Sequence, residues 1–185
     1  MVLTYKGKDK KMEEMFDTYD INGNFLGVKP KSFCHSENPG VYHKPVWIWI
    51  VNSKNEVLVQ KRASTKKFMA GMWDTPSAGH VEAGEDFIVA CQRETEEELG
   101  IKVNKNEFIF LGEIVSQKVW EIGQVYLLKK DIDYNKFKLQ KNEVEEVNWL
   151  SFSKFKNLFY SDKFVPYDKS YKDWVCQKIC KNLNL

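Results

Sequence analysis

Glu94, Glu97 and Glu98 fall at positions i, i+3 and i+4 of a stretch that carries no helix breaker between Glu85 and Gly100. On a helix these positions share one side, so their Cβ atoms would lie about 5–6 Å apart. Like charges that close cost roughly 0.2–0.5 kcal/mol per pair, and a helix needs no such cluster for its own sake. Most glutamate-rich faces are simply solvated. A hard divalent cation is the exception, because Mg²⁺ takes oxygen ligands and bridges carboxylates to substrate phosphates. Phe87, Cys91, Thr95 and Leu99 recur every four residues in the same stretch, an inward stripe that would leave the acidic residues on the neighbouring face. A loop bracketed by Gly79 and Gly84 precedes them.

Other residues able to do chemistry are few. His35, His43 and His80 are the only histidines. Cys34, Cys91, Cys176 and Cys180 form neither a C-x-x-C pair nor a secreted-type framework, which points to reduced, packed thiols. The 185 residues carry 28 basic and 26 acidic side chains, a net charge of +2 that gives no argument for nucleic acid or an anionic membrane as partner. Hydrophobic residues make up 43% and aromatics 14%, which suits a globular chain. No stretch reaches the ~20 apolar residues of a membrane span, and the start lacks the apolar core of a signal peptide. A cytoplasmic location is therefore expected.

The elements that must position these residues can be read in order. Residues 1–12 are lysine-rich and aperiodic, the pattern of a loose arm. Met15 to Tyr19 and Phe25 to Val28 read as a hairpin about Asn22-Gly23-Asn24. Pro30 to Gly40 is a loop or short helix. H-K-P-V-W-I-W-I-V-N from His43 is a buried strand, and Glu56 to Arg62 alternates as a half-buried one. A basic loop, Ala63 to Gly71, leads to W-D-T-P-S-A, whose proline argues for an edge or irregular strand. Beyond Ile101, the runs Phe108 to Ser116, Glu121 to Lys129 and Glu143 to Leu150 read as strands. Ser151 would cap a short helix through Phe159, and Pro166 would open a last helix reaching about residue 182. The expectation is one α/β domain, its core spanning about 14–160, with a mixed sheet between helices.

The order glycine, five residues, glutamate, seven residues, R-E, two residues, E-E, one residue, glycine, aliphatic resembles the Nudix box, matched at Gly79, Glu85, Arg93, Glu94, Glu97, Glu98, Gly100 and Ile101. Thr95 departs from the usual aliphatic residue, but it lies on the packing stripe, not the acidic side. D-x-Y-D-x-N-G at Asp17 to Gly23, Y-H-K-P-V at Tyr42 to Val46, L-V-Q-K-R at Leu58 to Arg62 and G-M-W-D at Gly71 to Asp74 are similar to the branch of isopentenyl-diphosphate isomerase-like hydrolases. The likeness spans roughly residues 14–150.

That resemblance implies the Nudix fold, an α/β/α sandwich in which the box forms a loop–helix–loop. It implies metal-dependent hydrolysis of a diphosphate linkage in a nucleoside diphosphate joined to another moiety. Mg²⁺, or Mn²⁺ in its place, would be held by Glu94, Glu97 and Glu98, with the carbonyl of Gly79 as a further ligand. Arg93 would orient the glutamates, and Glu85 would tie the loop to the helix. Glu94 or a glutamate outside the box would take the proton. Glu143, the first residue of E-V-E-E-V-N-W, is the choice there, followed by Glu145 and Glu146. Arg62, Lys66 and Lys67 are near the box in sequence and suit an anionic substrate. Trp73 and Trp47 are read as stacking or core residues, with core the better reading for Trp47.

Type I isopentenyl-diphosphate isomerase shares this fold and competes with the hydrolase reading. It places a cysteine before a Gly-His pair, whereas Ala78 precedes Gly79-His80 here, and a methyl group is neither acid nor base. It also uses two glutamates one residue apart on a later strand, where this chain has Glu121 and then Gly123. A complete set of box glutamates is a hydrolase feature. Against this, His35, His43 and His80 are similar in position to the isomerase's metal-binding histidines, and imidazole would favour Zn²⁺ or Mn²⁺. The plainer expectation is that His43 is satisfied by backbone hydrogen bonds and His80 braces the loop. A non-catalytic ligand-binding module of the same fold would show eroded glutamates, and none is eroded here. The implied partner is a small-molecule diphosphate, with no nucleic acid and no membrane; a homodimer is compatible with the sequence.

Overall fold

The structure, a computed structural model, describes residues 13–183, so the arm expected at residues 1–12 lies outside the described residues. Strands β1 (Met15–Tyr19) and β2 (Phe25–Pro30) form an antiparallel hairpin, with Gly23 at φ 81° in its turn. A single helical turn, α1 (Lys31–Cys34), follows. The main sheet has seven strands: β3 (Pro45–Val51), β4 (Glu56–Arg62), β5 (Trp73–Asp74), β6 (Ser77–His80), β7 (Phe108–Ser116), β8 (Glu121–Lys129) and β9 (Val144–Ser151). Only β3 and β8 run parallel; every other pairing is antiparallel, so the sheet is mixed as expected.

Alternation along β3 explains its unbroken apolar run. Val46, Ile48 and Ile50 face α2 (Phe87–Leu99), while Trp49 and Val51 face α3 (Phe152–Phe159) and α4 (Lys169–Leu183). Both faces are covered, so neither set can be polar. The result is an α/β/α sandwich.

Pro76 divides the irregular segment as its chemistry requires. β5 pairs with β4, and past the proline β6 pairs with β3 through Pro45–His80, Val46–Gly79, Trp47–Ala78 and Ile48–Ser77. β3 touches β4 in register only at Val51–Val57. The sheet therefore forks, with β4, β5 and β9 on one arm and β6, β3, β8 and β7 on the other.

Two expectations need correction. The last helix begins at Lys169, not at Pro166. The residues between are used otherwise: Phe164 bridges Trp73, Val165 N–H donates to the Trp73 carbonyl at 2.9 Å, and the Tyr167 hydroxyl is committed to Asp74. Ser151 does precede α3, but its side chain makes no capping hydrogen bond. No described helix is long and apolar enough to cross a membrane, and all four cysteines are free thiols.

Candidate active site

α2 starts where Asp86 accepts the Val89 N–H at 2.8 Å and ends at Gly100, whose φ of 71° lets its N–H reach the Glu96 carbonyl. Cys91, Thr95 and Leu99 are buried as the stripe requires. The Thr95 hydroxyl donates to the Cys91 carbonyl at 2.7 Å, so the polar atom the sequence puts on the packing side is satisfied within the helix.

Arg93 organises the loop around this helix. Its Nε and Nη2 grip Glu85 at 3.1 and 2.9 Å, Nη2 also donates to the His80 carbonyl at 2.8 Å, and Nη1 donates to Glu94 at 2.7 Å. Glu97 lies 3.5 Å from the same Nη1. A planar guanidinium is suited to such a fork, each arm holding a carboxylate or carbonyl in a fixed direction. The loop is also tied to the hairpin, since Ala83 N–H donates to the Met15 carbonyl at 2.8 Å and Gly84 N–H to Asp17 at 3.0 Å.

Glu94 and Glu98 turn inward and Glu97 outward. Burial raises the Glu94 carboxyl to about 7 despite the opposing Arg93 charge. Glu98 is 7% exposed and accepts the Ala78 N–H at 3.0 Å; burial, then the Glu94 charge, push its carboxyl well above the usual range. Two buried carboxyls from one side of a helix, one held by Arg93 and the other by the Ala78 amide, make an oxygen donor set suited to a hard divalent cation. Gly79 completes the fit: a Cβ there would lie 2.5 Å from Glu94 Oε2 and closer still to Oε1 and Cδ. Only glycine leaves room for Glu94 to lie against the β6 backbone.

The expected substrate residues gather across the fork. Arg62 Nη1 donates to Asp74 at 2.9 Å and Nη2 to the Phe68 carbonyl at 3.3 Å, while its Nε is buried with no partner among the described residues. Asp74 is itself held by the Tyr167 hydroxyl at 2.7 Å. Lys66 pairs with Glu143, and Lys67 lies over the Phe68 ring. Arg62 and Lys66 are thus ion-paired in place, whereas the sequence suggested only nearby cations. Main-chain bonds join this group to the helix: Ala63 N–H to the Glu143 carbonyl, Glu143 N–H to Gln140, and Gln140 N–H to the Glu98 carbonyl at 2.9, 2.8 and 3.0 Å. Trp47 packs at the edge of the α4-side core, as read from the sequence.

The three histidines do come together. One ring nitrogen from each of His35, His43 and His80 lies within 4.8 Å of the others. The His43 main chain is satisfied, its N–H bonded to the Trp120 carbonyl. Its ring is not: Nδ1 and Nε2 of His43 and Nε2 of His80 are buried without partners among the described residues. Burial lowers both imidazoles to about 3, so they are neutral and ready to ligate. Glu121, which the sequence offered only as half of a pair, stands 3.6 Å from His43 and 3.9 Å from His80. Burial raises its carboxyl, opposed by the nearby His43 and His35. Because His80 is next to Gly79 on a strand, its side chain points to the opposite face from the glutamates.

On that face there is no room for a second glutamate two residues beyond Glu121. A Cβ at Gly123 would lie 2.7 Å from Pro45 Cγ and 2.8 Å from Trp47 Cη2, so the Trp47 ring fills the space of a second glutamate. Asp74 and Tyr167 are the residues that sequence reasoning missed, together with the place of Glu121 beside the histidines. An aspartate followed by Thr-Pro inside a strand pattern was the one available signal for Asp74.

A family model described as the NUDIX domain matches residues 41–174. A protein of Arabidopsis thaliana named Nudix hydrolase 3 is 36% identical over 170 residues, covering 84% of this chain, which spans only 22% of that protein's length. An isopentenyl-diphosphate Delta-isomerase of Serratia proteamaculans is 35% identical over 89 residues, 48% of this chain and 49% of that protein. Among solved structures, DR0079 of Deinococcus radiodurans has the same fold, with a TM-score of 0.70 at 16% identity over 91% of this chain and 98% of that one.

Proposed function

This chain belongs to the Nudix hydrolase family, and from that premise we propose that it hydrolyses the diphosphate linkage of a nucleoside diphosphate joined to a second moiety. One observation carries the reading: Glu94 and Glu98 are both buried carboxyls raised above the usual range, and Glu94 lies against a glycine that leaves no room for a side chain. Glu94, Glu97, Glu98 and the carbonyl of Gly79 would hold a divalent ion, Mg²⁺ or Mn²⁺. When bound, that ion supplies neutralisation of the phosphate oxygens and an acidified water.

The chain's own residues do the rest. Glu85 fixes Arg93, and Arg93 holds Glu94 and Glu97 in direction. Glu94 would take the proton; Glu143, paired with Lys66, is the alternative base. Arg62, Lys66 and Lys67 would supply positive charge for the anionic substrate. His35, His43 and His80, with Glu121, would hold a second ion of the Zn²⁺ or Mn²⁺ type on the other face. A cytoplasmic setting and a small-molecule partner go with this function.

The test is a panel of nucleoside diphosphate derivatives with Mg²⁺ or Mn²⁺. Release of phosphorylated products, lost in Glu97→Gln, is the expected result; no product from any member would overturn the proposal. The histidine cluster favours the isomerase as second reading. Deuterium incorporation into isopentenyl diphosphate would establish it, although Ala78 and the Trp47 ring against Gly123 argue otherwise.

A further inference from the structure

Phe68 is 67% exposed, more than any other large hydrophobic residue described, and Met69 beside it is also exposed. An isolated apolar side chain on a surface is ordinary, but the mount of this one is not. The loop that carries it is closed at its base by Arg62 N–H to the Met72 carbonyl at 2.9 Å and Gly71 N–H to the Arg62 carbonyl at 3.2 Å. Met69 is held at φ 52°, a left-handed conformation that a non-glycine residue adopts only when its surroundings impose it. The Phe68 carbonyl is held by the guanidinium of Arg62, whose other arm donates to Asp74. Lys67 Nζ lies 5.1 Å from the ring centroid. An exposed aromatic ring thus stands beside the loop cations suited to a diphosphate, on a loop whose base is chained by main-chain hydrogen bonds to Glu98.

We propose that Phe68 is the platform on which the aromatic base of the substrate stacks while its diphosphate lies along Arg62 and the loop lysines. This rests on the hydrolase reading and narrows it: the recognised moiety is the nucleoside, bound through the face of its base. Every base offers a π-face, so such a platform recognises nucleosides as a class without selecting one base.

Two non-hydrolysable ligands separate the contributions, α,β-methylene-ADP and methylenediphosphonate, which share the bridging core and differ in the nucleoside. Their affinities are measured by calorimetry with Mg²⁺ for the wild type, Phe68→Ala and Phe68→Trp. Stacking of one base corresponds to about a five- to hundredfold change in affinity. Phe68→Ala should therefore weaken α,β-methylene-ADP by about tenfold or more and leave methylenediphosphonate within about twofold, while Phe68→Trp keeps the nucleotide bound. Equal weakening of both ligands, no weakening of either, or a wild type that binds neither or does not prefer the nucleotide would overturn the proposal. Turnover plays no part in these measurements. A wild type that hydrolyses the substrate panel but fails here leaves the hydrolase reading intact and removes Phe68 from it.

Discussion

Replacing Gly79 by alanine removes no proposed ligand and adds one methyl group, so its effect reports the geometry of the carboxylate cluster alone. Gly79 lies in β6 in ordinary extended backbone, and alanine is free to adopt that conformation. The added Cβ would sit 2.5 Å from Glu94 Oε2, where an ordinary contact is 3.4–4 Å, with Oε1 and Cδ nearer still. The backbone cannot yield without breaking the β6–β3 pairing, so the carboxylate must withdraw by about 1 Å or more. The end of a glutamate is flexible, so the fold should lose less than about 1 kcal/mol. Catalysis is less forgiving, since a misplacement of about 1 Å is worth roughly a hundredfold in rate, or about 2.7 kcal/mol of barrier. Steady-state kinetics at saturating Mg²⁺, on whichever panel member the wild type hydrolyses best, should show that loss in kcat beside an almost unchanged unfolding midpoint. A Gly79→Ala enzyme with kcat within threefold of the wild type would refute the assignment of Glu94 to the reaction centre.

Glu98→Gln keeps the size of the side chain but removes a buried charge, so activity should fall by about a hundredfold or more while the metal-free protein becomes no less stable to urea. The Glu94 carboxyl is raised from 4.5 to about 7, so its ionisation costs metal-free stability as pH rises across that window. Mg²⁺ titrations should show affinity falling about tenfold per unit below pH 7, and Mg²⁺ should raise the melting temperature at pH 8 more than at pH 5.5. Zn²⁺ should raise the melting temperature of the wild type and not of His43→Ala, whose buried ring nitrogens are then gone. Tyr167→Phe deletes the hydrogen bond to buried Asp74 and should cost about 1–2 kcal/mol in urea unfolding.

Local signals carried far along this chain. β7 and β8 have the bounds read from the sequence, and α2 follows from a stripe that ends at a glycine able to adopt φ 71°. The glutamate spacing pointed to the proposed reaction centre because i, i+3 and i+4 are geometry as well as sequence. What could not be read is set by pairing between distant strands. Arg62 meets Asp74 because β4 pairs with β5, and Glu121 meets His43 and His80 because β8 runs beside β3. The start of α4 was misplaced partly for the same reason: residues 164 to 167 are bound to Trp73 and Asp74, and the helix begins only after Asp168.

β6 is four residues long, and two adjacent ones serve different chemistries, Gly79 admitting a carboxylate on one face and His80 joining the imidazoles on the other. The phase of that strand is therefore a shared adjustment. A slip of one residue along β3 would turn every side chain of β6 over, sending an imidazole toward α2 and the glycine toward the histidines, so both sites would fail together. An insertion or deletion in the turn around Pro76 should thus be far more damaging than one of equal size in the hairpin turn at Gly23, and redesign of either site has to begin by keeping β6 in phase.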